Sequence, residues 1–209
     1  MYVPAAFAME PVEVRALLAG HGAADLVTST SQGLLATMLP FVHDPDAGEH
    51  GALLGHVARN NPQWREQPIG EALVLVRGPD AYVSPSWYAS KAEHGRVVPT
   101  WNYVTAHVYG SLTWHDDTAW VEALVRRLTE QHEATLPHPW AVDDAPPAFV
   151  AGQLRAIVGV ELQITRIEAK AKLSQNRPGA DVEGVVAGLA ARGELEASAA
   201  VAAAQRDGR

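Results

Sequence analysis

The side chains with the most capacity for chemistry crowd into Tyr82 to Gly110, YVSPSWYASKAEHGRVVPTWNYVTAHVYG, which holds four of the five tyrosines and two of the six tryptophans. From Trp101 the residues alternate as a strand does: Trp101, Tyr103, Thr105, His107 and Tyr109 share one face, with Val104, Ala106 and Val108 on the other. The second face reads as core. The first is amphipathic, its ring bodies able to pack while their polar tips need partners. Such a face suits a planar ligand or a second subunit, and an aromatic β core with prolines at its edges accounts for the same residues. Pro85 and Pro99 hold the residues before them extended and remove ladder donors. Ser86-Trp87 and Thr100-Trp101 therefore emerge at strand rims, where sites are commonly built.

Two further groups carry polar chemistry. His56, Arg59 and Asn60 gather where a strand ends in Arg59-Asn60-Asn61-Pro62, and donors beside turn amides can cradle an anion. Taken singly, Asn60 and Asn61 read more simply as caps of a short helical turn through Trp64. Lys172 to Pro178 (KLSQNRP) is a polar run with two cations, which as bare sequence is a capped turn between a strand and a helix. Other chemistries lack their signatures. There is no GxGxxG, GxxxxGK[ST] or GxSxG, and the nine histidines form no HExxH or HxH. The His43–Gly51 loop (HDPDAGEHG) lacks the closing Glu and the spacing of an EF-hand. Without cysteine there is no disulfide, thiolate nucleophile or Cys-ligated zinc.

The elements that position these groups follow from periodicity. A short helix spans about 10–20, with strands at 25–30, 34–42, 52–58, 71–77, 82–88 and 101–115. Gly55 marks a close backbone approach, Pro40 an edge or bulge, and Gly78-Pro79-Asp80 a turn. Asp116 or Asp117 caps a helix bearing Trp120, Leu124 and Leu128, and a second helix follows over about 148–157. The strand from Val158 to Leu173 changes its inward parity near Arg166. The end is helical and Ala-rich. Six or seven antiparallel strands with peripheral helices predict a mainly β, α+β barrel: a domain over 1–178 with inserted helices about 117–157, then a helical appendage over 179–209. At a formal net charge of −8, with no basic block, direct DNA binding is possible but not supported. No run approaches the ~18 apolar residues of a membrane helix, and the first residues do not form a signal peptide, so a cytoplasmic protein is expected.

Three segments taken together resemble the PaiB-type FMN-binding proteins described as negative transcriptional regulators: YVSPSWY at 82–88, VPTWNY at 98–103 and KLSQNR at 172–177. The segment GHVARNNPQW at 55–64 and the MYVP start are similar too, and the resemblance extends to about residue 190. It implies an FMN-binding split β-barrel of the pyridoxamine-phosphate-oxidase kind, a bacterial homodimer, and FMN at the subunit interface. His56, Arg59 and Asn60 would then meet the phosphate, with Thr37 added from the neighbouring strand. Ser86, Trp87, Thr100, Trp101 and Asn102 would line the flavin ring. Lys172, Ser174, Gln175, Asn176 and Arg177 would approach from the partner subunit or close the rim. A flavin-dependent oxidoreductase acting on a small substrate is the alternative, with His107 and Tyr88 as candidate acid-base groups and no catalytic residue assigned. A haem-binding or haem-degrading split barrel, with His56 or His107 as axial ligand, ranks third.

Overall fold

The computed structural model describes residues 1–206. Its strands are β1 (Ala23–Thr30), β2 (Gly33–Asp44), β3 (Ala52–Ala58), β4 (Ala72–Val83), β5 (Thr100–His115) and β6 (Ile157–Lys172). They hydrogen-bond in the order β1-β2-β3-β6-β5-β4 and close into a barrel, so the fold is the predicted mainly β one with peripheral helices. The helices are α1 (Pro11–Gly20), α2 (Ser90–His94), α3 (Thr118–Glu133), α4 (Pro147–Leu154), α5 (Gly179–Ala191) and α6 (Leu195–Arg206).

Several sequence signals act as expected. Asp117 caps α3 by accepting the Trp120 N–H at 2.8 Å. Asn61 caps a short 3-10 turn over Pro62–Arg65 through the Gln63 N–H. Gly55 faces the β2 backbone so closely that a Cβ there would lie 2.9 Å from the Pro40 carbonyl oxygen. Two signals resolve differently. Pro40 is neither at an edge nor in a bulge: β2 pairs with β1 as far as Pro40 and with β3 from Phe41, so the missing N–H falls where the strand changes partner. Gly78-Pro79-Asp80 does not turn either. β4 runs through it, with Asp80 accepting the Trp101 indole N–H from β5 at 2.9 Å.

The chain divides into two compact units, and β4, β5 and β6 contribute to both. One unit comprises Met1–Val14, Arg77–Ala106 and residues 168–206. Its core joins Val83, Tyr88, Leu173, Val182, Val185, Leu189 and Val201, so the Ala-rich tail is docked through α6. The other comprises Arg15–Val76 and His107–Ile167. There Leu53, Val57, Val158, Val160 and Leu162 are fully buried, or nearly so, on the barrel strands. Leu124 and Leu128 of α3 pack on Val42, Ala52 and Leu54. Thr165 and Arg166 are exposed in succession, where the parity change was expected.

Candidate functional site

In the first unit the start of β5 meets the end of β6. The Lys172 ammonium donates to the Thr100 hydroxyl and, at 2.7 Å, to the Trp101 carbonyl. Asn102 lies on the inward face of β5, 1% exposed, and exchanges hydrogen bonds with the Ser174 hydroxyl at 2.9 and 3.2 Å. Ser174 has φ of +66°, the one non-glycine residue with positive φ among the described residues. Such backbone is uncommon outside glycine and asparagine and marks a tightly determined turn. Gln175 braces that turn: its amide accepts the Leu173 N–H and donates to the Ala171 carbonyl, each at 2.6 Å. Asn176 is exposed at the tip, and the Arg177 guanidinium lies 4.7 Å from the Tyr88 ring centre.

This cluster is crowded with positive charge. Burial pushes the Lys172 ammonium below its ordinary value, and the nearby charges of Lys170 and Arg177 push it further. Lys170 is itself 8% exposed, its ammonium 5.3–5.9 Å from the ring centres of Tyr2, Phe7 and Tyr103. An ammonium has three donors. Lys172 spends two on Thr100 and Trp101, which leaves one for an electron-rich group.

The SPSWY segment contributes differently. Ser86 is exposed and accepts from the Lys91 ammonium at 3.2 Å. Trp87 packs its ring on α5, where a Cβ added at Gly188 would lie 2.3 Å from the indole and one at Gly184 1.9 Å from the Trp87 carbonyl oxygen. The glycines four apart on α5 were the available sequence signal. Next to it the Ser90 N–H and hydroxyl both donate to buried Asp181, at 2.8 and 2.7 Å. Burial would raise that carboxyl, but the Ser90 hydrogen bonds and the charges of Arg177 and His94 outweigh it and hold Asp181 below the ordinary carboxylate value. Tyr88 is buried, and burial raises its phenol against the opposing influence of the neighbouring Arg177 guanidinium.

In the second unit His56, Arg59 and Asn60 do not share one cradle. His56 lies on the outer face of β3 in an apolar cavity, where burial lowers its imidazole. Arg59 donates to Asp116 and to the carbonyls of Arg155 and Ile157, at 2.7 Å for Arg155 and 3.1 Å for Ile157. Asn60 is exposed in the turn. Thr37 belongs to a separate network centred on Gln63, which is 2% exposed. Thr37 donates to Gln63 at 2.6 Å and accepts from Asn61 at 2.9 Å, while Gln63 donates to Thr28 at 3.0 Å. Gln63 was missed because one glutamine in a short turn carries no periodic signal. Among the described residues no group of three or more His, Cys, Asp or Glu is placed to hold a metal.

Comparison with known proteins gives the family and the fold. Residues 1–166 match the family described as "Putative FMN-binding domain". The chain belongs to that family. The protease synthase and sporulation protein PAI 2 of Bacillus subtilis (strain 168) is 34% identical over 188 residues, spanning 89% of this chain and 87% of the relative. An uncharacterized protein of Emericella nidulans is 34% identical over 183 residues, spanning 72% of this chain and 73% of that one. Among solved structures, the flavocytochrome Anf3 from Azotobacter vinelandii superposes with a TM-score of 0.57 at 16% identity, over 81% of this chain and 68% of that one. The FAD and heme binding protein from Mycobacterium smegmatis gives 0.51 at 17%, over 79% and 73%. Both share the fold. With the family established, the chain is an FMN-binding protein of PaiB type.

Proposed function

We propose that this PaiB-type protein works as a homodimer that holds FMN at its subunit interface and lowers transcription of its targets, directly or through a partner. The observation that carries the ligand reading is the crowding of Lys172 by Lys170 and Arg177 at a rigid strand end, with an ammonium donor to spare. Repulsion among these cations is relieved by an electron-rich partner, and the carbonyl-lined edge of an isoalloxazine is one. Bound FMN supplies hydride and electron-transfer chemistry. The chain's own residues bind and orient it: Lys172 and Thr100 offer donors, Asn102 and Ser174 fix the turn, and Gln175 braces it. Arg59 and Asn60 are the proposed phosphate partners. Arg59 takes that role by exchanging Asp116 for phosphate. His56 has no part in it, because its surroundings are apolar.

A dimer is supported by a row of uncovered apolar side chains along β2. Leu34 and Met38 are 75% and 71% exposed, with Ala36 between them opposite Val27, and Ser29 and Asp25 of β1 lie opposite Leu34 and Met38; Ile69, before β4, is 60% exposed. Large apolar side chains exposed in a row on one strand mark an association site, and a second copy is the partner proposed. The regulatory role rests on the resemblance of the 82–88, 98–103 and 172–177 segments to the PaiB-type regulators. At −8 the chain has a poor charge for non-specific DNA contact, which favours action through a partner.

Flavin titrations test the assignment. Lys172→Met is expected to weaken both FMN and riboflavin about tenfold or more, whereas Arg59→Ala weakens FMN alone, since riboflavin has no phosphate. Unchanged FMN affinity in Lys172→Met overturns the ring assignment, and equal losses of both flavins in Arg59→Ala overturn the phosphate one. A salt-dependent shift of promoter DNA by the purified protein distinguishes direct from indirect regulation.

A further inference from the structure

The cavity at His56 is unrelated to the features assigned to FMN. On the outer face of β3, Ala52 and Leu54 are covered by Leu124 and Leu128 of α3. His56 is the next residue on that face, and here the cover is incomplete. A hollow of about 250 Å³ lies over it, lined chiefly by Val125, Val142, Phe149, Val150 and Leu154, with Trp140 beside them. Val142 and Leu154 are 4% and 6% exposed, so they form its floor. Trp140 and Phe149 are 47% and 58% exposed, which puts two aromatic rings at its mouth. The lining includes no Lys, Arg, Asp or Glu, and Gln153 is the one polar residue besides His56.

A packed core would put an aliphatic side chain at position 56. The half-buried imidazole instead keeps its ring nitrogens open to the hollow, since they are not among the buried atoms without a partner, and a ligand seated there can take up their hydrogen-bonding capacity. Among the described residues none hydrogen-bonds to the His56 imidazole. The combination of an apolar wall, an aromatic mouth and one convergent hydrogen-bonding group is that of a small-ligand site. Its size admits a single aromatic ring system, and the uncharged lining disfavours ionic ligands, which would lose hydration without compensation.

We infer that this cavity is a second ligand site, independent of the flavin, that takes a small uncharged aromatic molecule bearing one O–H or N–H, held by His56 and ringed by Trp140 and Phe149.

Phenol and toluene test this directly, because they match in size and differ in the hydroxyl. Binding is followed by calorimetry and tryptophan fluorescence on the full chain carrying FMN. Wild type is expected to bind phenol saturably and about tenfold tighter than toluene. His56→Leu is expected to abolish that preference while still binding toluene. Val150→Trp, which fills the hollow, is expected to abolish binding of both with FMN affinity unchanged. Absence of saturable phenol binding, equal wild-type affinity for phenol and toluene, or undiminished phenol binding in Val150→Trp each overturns the proposal. Should His56→Leu fail to fold, the wild-type preference and Val150→Trp decide the matter.

Discussion

Two glycine-to-alanine changes in helices separate the contribution of one contact from that of helix propensity. In a helix interior alanine is favoured over glycine by about 0.8–1.0 kcal/mol. At Gly152 of α4 nothing lies within 4 Å of an added Cβ, so Gly152→Ala is expected to raise stability by about that amount. Gly184 of α5 has the same gain available and a different surrounding. Its Cβ would lie 1.9 Å from the Trp87 carbonyl oxygen, about 1.5 Å short of ordinary contact, and that oxygen is backbone. No rotamer change can relieve it. Either α5 or the Pro85–Trp87 turn must move, and α5 carries Val182, Val185 and Leu189, each 2% exposed or less. Overpacking of this kind costs about 1–3 kcal/mol. With the contact so short, the upper part of that range applies, and a net loss of about 1–2 kcal/mol remains after the propensity gain. Urea denaturation with unchanged m-values measures both variants. If Gly184→Ala stabilises the protein as Gly152→Ala does, the packing of Trp87 on α5 is not what the structure describes.

Gln63→Leu is expected to lower stability by about 2–3 kcal/mol in the same assay, because Thr28, Thr37 and Asn61 lose partners around a residue 2% exposed. Met38→Lys, which replaces one of the exposed apolar side chains of β2 by a charge, is expected to convert a dimer to a monomer in sedimentation experiments without a loss of secondary structure by circular dichroism. Flavin affinity should fall on the alkaline side before pH 10.5, because Lys172 holds its proton less firmly than an ordinary lysine and only the cation binds; Lys172→Arg should keep affinity across that range. His21 is buried and its imidazole sits below the ordinary 6.5, so its contribution is complete above pH 6.5. As pH falls below 6.5 the unfolded chain takes the proton first and stability is lost down to the lowered folded value. The acid decline in Tm should therefore be shallower in His21→Gln.

Some of the candidate site is written locally. The alternation from Trp101 to Tyr109 was legible because a strand sorts its side chains two by two, and the inward parity put Asn102 on the buried side with Ala106 and Val108. Asp117 and Asn61 were legible as caps because the groups they satisfy lie within three residues of them. Pro40 misled because the residue alone cannot show that β2 exchanges β1 for β3 at that point. Gly78-Pro79-Asp80 misled because turn-forming composition was overridden by strand pairing.

The linear order of residues thus determined the strand and helix inventory, the caps, the absence of thiol chemistry and, through three short motifs, the family. Tertiary structure decided what those motifs do. Asp181 reaches Ser90 across 91 positions, Lys172 reaches Thr100 across 72, and Arg59 finds Asp116 across 57. Trp87 rests on two glycines of a helix that begins almost a hundred residues later, and His56 faces a hollow built by α3 and α4. The reason is physical. Backbone conformation and capping depend on neighbours within a turn or two, whereas charge pairing and burial depend on which distant side chains the closed sheet brings together.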